Sequence, residues 1–100
     1  MTTASIPSGT YRIGWSFEWA CSSDKAPASG FMVEIDETTE IMYVEMAPQK
    51  KYGDGCFYTS SGFKHTSLSA ESHTIDIYYK RGVEGTTYIR KARLEIWRVS

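Results

Sequence analysis

Thr10-Tyr11-Arg12-Ile13-Gly14-Trp15-Ser16-Phe17-Glu18-Trp19-Ala20 is the stretch whose reading decides the fold. Tyr11, Ile13, Trp15, Phe17 and Trp19 all fall on odd positions, and Arg12, Gly14, Ser16 and Glu18 lie between them. Side chains alternate across a strand with period two, so this pattern puts five large apolar groups on one face. A helix would scatter the same five around its circumference. The spacing predicts a long, half-buried strand, with Trp15 and Trp19 in the core.

On the N-terminal side, residues 1–9 are small and polar with Pro7 and Gly9, and read as an ordered arm or a frayed tail ahead of a domain at 10–100. On the C-terminal side, Cys21–Gly30 carries Asp24, Pro27 and Gly30 and reads as a loop. Phe31, Val33 and Ile35 alternate with Met32, Glu34 and Asp36, which predicts a second strand. Glu37–Glu40 is a turn. Ile41–Ala47 reads as a third strand, apolar on both faces: Ile41, Tyr43 and Ala47 on one, Met42, Val44 and Met46 on the other. Such a strand is covered on both sides, by its own domain or by a partner.

Pro48–Gly55 is a polar loop. Phe57 and Tyr58 read as a short strand broken by Ser60-Ser61-Gly62, with Phe63–Leu68 as another. His73–Lys80 alternates again, with Ile75, Ile77 and Tyr79 inward. Arg81–Gly85 has the glycines of a hairpin loop. In the last strand, Thr86–Val99, the even positions Tyr88, Ala92, Leu94 and Ile96 form the inward set, and Trp97 and Val99 on the odd face predict a bulge or a second buried face near its end. Seven or eight short strands with no helical periodicity give an all-β domain. The expected architecture is a single antiparallel β-sandwich, jelly-roll-like.

Composition narrows the function by exclusion. One hundred residues make one domain. Lys and Arg number 11 against 12 Asp and Glu, so the chain lacks the basic excess of a phosphate-neutralising nucleic-acid binder. No apolar run approaches the ~18 residues of a membrane span, and the N-terminus shows no secretion signal. Neither nucleic acid nor membrane is an expected partner. Charge is uneven along the chain: residues 1–50 have net charge −4 and residues 51–100 net +3. That asymmetry suits either a salt-bridged surface or docking between complementary faces. Cys21 and Cys56 lack a Cys-x-x-Cys spacing, so no zinc site is expected; with no secretion signal, thiols are expected over the one possible disulfide.

Catalytic signatures are few. No Gly-x-Ser-x-Gly elbow is present. His65, His73 and Asp76 contain metal-ligating groups, but positions 73 and 76 of a strand point to opposite faces, so solvated or capping histidines are expected. Glu34 and Asp36 share a strand face and read as its polar side. Gly53-Asp54-Gly55 is too poor in following acids for a calcium loop. No cofactor or metal and no enzymatic activity is expected. The basic cluster Arg90, Lys91, Arg93 and Arg98 suits an acidic neighbour or a solvated strand face. Trp97, opposite Leu94 and Ile96, suits an interface, a sugar-stacking platform or core packing after a bulge.

Three stretches together carry a resemblance: Gly9–Trp19 (GTYRIGWSFEW), Ser72–Tyr79 (SHTIDIYY) and Ala92–Val99 (ARLEIWRV). They resemble small β-sandwich virion proteins of tailed bacteriophages and, more loosely, trimeric jelly-roll modules of the C1q/TNF type. The resemblance spans about residues 9–99 and rests on β patterns, not catalytic signatures. It implies a non-enzymatic structural virion protein, assembled in the bacterial host cytoplasm. The expected role is a capsid decoration or cement protein that oligomerises, as a trimer, and contacts the major capsid or tail proteins. Candidate interface residues are Met42, Val44, Met46, Arg90, Lys91, Arg93, Trp97 and Val99. The alternative is a receptor- or carbohydrate-binding module of a phage tail or fibre, with Tyr52, Phe57, Tyr58 and Trp97 as stacking groups.

Overall fold

A computed structural model describes residues 1–22, 29–47, 56–81 and 85–100. Six strands are present among them: β1 (Gly9–Cys21), β2 (Ser29–Ile35), β3 (Thr39–Met46), β4 (Tyr58–Leu68), β5 (Ile75–Arg81) and β6 (Thr87–Arg98). They form two antiparallel three-stranded sheets, β4-β1-β6 and β3-β2-β5, which pack as a β-sandwich. The described residues contain no helix. This is the strand order left when the first two strands of an eight-stranded jelly roll are taken away. The arm fills part of the vacancy. Thr2 bridges Thr74 and Ile6 bridges Glu71, antiparallel, in line with β5. Backbone bonds from Thr3 N–H to the His73 carbonyl (2.8 Å) and from Ile75 N–H to the Met1 carbonyl (2.7 Å) hold it there.

The odd-numbered face of β1 is the centre of the core. Tyr11, Ile13, Trp15, Phe17 and Trp19 are all buried. Phe17 stacks on Phe31 of the opposite sheet at 4.8 Å between centroids, and Trp19 meets both Phe31 and Tyr58. Val33, Ile35 and Ile75 complete the facing layer.

Four strand-level expectations are corrected. The apparent break at Ser60-Ser61-Gly62 lies inside one continuous strand, β4. Gly62 pairs with Trp15, and a Cβ there would stand 2.9 Å from the indole, so the small residue makes room for the large one. The third strand is not doubly apolar in use. A register shift between Val33 and Glu34 lets Ile41 be buried while Met42, Val44 and Met46 also pack on the core, leaving Tyr43 exposed. Tyr79, expected inward, is half exposed, whereas Ile75 and Ile77 do face the core. The β6 bulge falls mid-strand, where Lys91 has φ 53° and pairing with β1 shifts between Ser16 and Glu18. Thr87 and Ile89 therefore turn inward before it and Leu94 and Ile96 after it, and Tyr88 faces out rather than in.

Candidate binding surfaces on the two sheet faces

The outward faces of the two sheets differ in chemistry, and register decides which residues meet on each. On the β3-β2-β5 sheet, Tyr43, Met32 and Tyr78 form one row across the three strands. Beside it runs an acidic row, Glu40, Glu34 and Asp76. On the other side Gly30 lies between Glu45 and Lys80, and its missing side chain opens a shallow groove walled by Tyr43, Tyr78, Tyr79 and Lys80. Tyr43 donates to Glu45 Oε1 at 3.0 Å, and the Lys80 ammonium stands over the Tyr43 ring. Partial desolvation, and then the carboxylates of Asp76, Glu34 and Glu37, hold the Tyr78 hydroxyl above the ordinary tyrosine pKa. Tyr43 and Tyr78 with Met32 between them, beside four carboxylates, make this face apolar and anionic together.

The β4-β1-β6 sheet presents cations. Its outward rows are His65-Arg12-Trp97, Phe63-Gly14-Glu95, Ser61-Ser16-Arg93 and Thr59-Glu18-Arg90. Gly14, Ser16 and Ser61 are small and leave a cleft of about 270 Å³, with Phe63, Trp97, Arg12, Arg93 and Glu95 around it. Trp97 is 48% exposed and Phe63 56%. The Arg12 guanidinium lies over both rings, 4.1 Å from the Phe63 centroid and 5.3 Å from that of Trp97. Further along, Arg90 donates to Glu18 Oε1 at 2.6 Å and covers the Phe57 ring, and Lys91 is 3.9 Å from the same carboxylate.

The candidate interface residues thus separate. Met42, Val44 and Met46 are half-buried on the chain's own core. Arg90 and Lys91 gather around Glu18, Arg93 and Trp97 border the cleft, and Val99 is exposed beyond the end of β6. Of the stacking candidates, Trp97 is open, Tyr58 packs on Trp19, Phe57 lies under Arg90, and Tyr52 lies outside the described residues. Sequence reasoning missed Arg12, Phe63, Glu95, Met32 and Tyr78. Each is an ordinary outward residue until strand register sets it beside its neighbours.

His65 is exposed, as expected, but His73 corrects a further expectation. His73 is neither solvated nor near a metal set, but buried. Its Nδ1 is 2.7 Å from Asp36 Oδ2 and its Nε2 is 2.9 Å from the Ser69 carbonyl. Two acceptors require two ring protons, so the geometry favours imidazolium. The Ser69 carbonyl first, and then the Asp36 carboxylate, raise the His73 pKa. The bond from His73 chiefly lowers that of Asp36. Asp36 does not share a strand face with Glu34. It leaves β2 at a left-handed turn (φ 54°), where its other oxygen accepts Thr74 N–H. Among the described residues no three metal-ligating side chains converge. The Gly53-Asp54-Gly55 segment lies outside those residues. Cys21 is buried at the end of β1.

No family model matches the chain, no curated protein is similar to it, and no solved structure matches its fold.

Proposed function

We propose that this protein is a non-enzymatic structural component of a tailed-bacteriophage virion. In this reading it assembles with itself, in three copies, and decorates or cements the particle through contacts with capsid or tail proteins. The observation that carries the reading is the outward band Tyr43-Met32-Tyr78 flanked by carboxylates, on a molecule whose opposite sheet carries Arg12, Arg90 and Arg93 in its outward rows. Contiguous exposed apolar surface of this kind marks interaction sites. Unlike patches at two places on one chain make a head-to-tail contact, and such contacts close into rings when the rotation between copies closes. The virion setting is supported by the resemblance of residues 9–99.

Tyr78→Lys tests it. The side chain is 42% exposed, so the fold should survive. Sedimentation velocity should show the assembled species replaced by a single chain, with the unfolding temperature held. An undiminished assembly would remove this face from the interface.

A second reading, a receptor- or carbohydrate-binding module of a phage tail or fibre, is favoured by one observation. Trp97 is open to solvent beside a cleft with polar walls.

A further inference from the structure

The cleft above Gly14 has a composition that selects a ligand. Its floor is Gly14, Ser16 and Ser61, so nothing larger than a hydroxymethyl rises from it. Two aromatic rings stand at one end, both well exposed. Around it are two guanidinium groups, Arg12 and Arg93, and one carboxylate, Glu95. Among the described residues none of these three makes an ion pair, whereas Arg90 and Lys91, further along the sheet, share Glu18. The cleft therefore keeps its charged groups uncommitted while the cations beside it are neutralised.

Arg12 is also pre-positioned. Its guanidinium lies over Phe63 and Trp97, which fixes the long side chain by cation–π contact and lowers the entropy lost on binding. A guanidinium so held presents a planar fork of donors, which matches a carboxylate in two parallel bonds. The Trp97 ring supplies an apolar platform for the C–H face of a pyranose. Glu95 and the Ser16 and Ser61 hydroxyls can accept from or donate to ring hydroxyls. The cleft volume, about 270 Å³, is at the small end of ligand sites and fits one or two sugar rings.

We propose that this cleft binds a carboxylated saccharide, with Arg12 holding the carboxylate, Trp97 stacking on the ring, and Arg93 and Glu95 fixing its hydroxyls. The inference rests on the carbohydrate-binding reading above and names its ligand class and residues. A neutral sugar would leave two guanidinium groups facing it against the single carboxylate of Glu95, an excess of positive charge. A bare anion would make no use of the two rings.

The test is an amide-resolved NMR titration of the whole chain with trigalacturonate and, in a parallel arm, with its fully methyl-esterified form, which has the same rings without the charge. Trigalacturonate should shift the amides of Gly14, Ser16, Ser61 and Glu95 and bind at least about tenfold tighter than the ester, the scale of one charged hydrogen bond. Arg12→Gln and Trp97→Ala should each weaken it by a similar factor with the spectrum otherwise folded. Arg12→Lys should rescue little, because the charge remains and the fork is lost. Equal binding of acid and ester at these amides would overturn the acidic preference while leaving the carbohydrate reading standing. Binding that is unchanged in both variants, or that shifts other amides, would overturn the site. Failure of both saccharides to bind would overturn the inference and that reading together.

Discussion

His73 has an acceptor at each ring nitrogen, and that gives the fold a pH signature. Its folded-state pKa is raised above the ordinary 6.5, so the stability it contributes is fully present below pH 6.5 and is lost as pH rises through the raised value. Asp36 has the opposite sign. Its pKa is lowered from 3.8, so its contribution is present above that value and lost as pH falls through the depressed one. The pair therefore stabilises most between those two ordinary values. The unfolding temperature should hold through mildly acidic pH and fall as pH rises from 6.5 toward 9. Asp36→Asn should flatten that fall. An unfolding temperature that climbs across the same range in the unaltered protein would show that the imidazolium is not the folded form. This pair could not be read from the sequence. Asp36 and His73 are 37 residues apart and meet only because the β2–β3 turn and the segment entering β5 lie side by side.

Element by element, legibility tracks how local the signal is. β1 declares itself, since nine residues of strict alternation leave one reading, and all five of its large odd residues are buried. β4 does not. Ser60 and Gly62 look like a break because their purpose lies on another strand: they are small where Phe17 and Trp15 of β1 need the space. The bulge that the sequence predicts near the end of β6 lies mid-strand instead, at Lys91, which carries no glycine-like marker for its left-handed backbone. That displacement also exchanged Tyr88 for Ile89 on the core side. The candidate surfaces are the least legible, because Phe63 of β4 and Trp97 of β6 come together only at the Arg12 guanidinium of the strand between them. Gly62→Ala measures how tightly β4 is fitted. The added methyl would crowd the Trp15 ring and cost about 1–3 kcal/mol, as overpacking does. Urea unfolding gives the number, and a change below about 0.5 kcal/mol, the scale of an ordinary surface substitution, would show that the indole moves aside freely.

At the scale of the whole molecule, the chain is a jelly-roll-like sandwich of six described strands in which the arm stands in for part of a missing one. Its two outward faces are unlike. One joins tyrosines to carboxylates, and the other gathers arginines around a small-floored cleft. Charge is uneven between the faces, with Glu34, Glu40, Glu45 and Asp76 against Lys80 on one sheet and Arg12, Arg90 and Arg93 against Glu18 and Glu95 on the other. Complementary faces on one chain are what head-to-tail assembly requires. The same unevenness predicts that assembly weakens as salt rises, because exposed charges are screened beyond about a Debye length. The most direct measurement is the absolute mass of the unaltered protein by light scattering behind a sizing column, at low and at high salt. The account predicts three times the 11.3 kDa chain at low salt, with dissociation toward one chain at high salt. A single-chain mass at every concentration and every salt would contradict it.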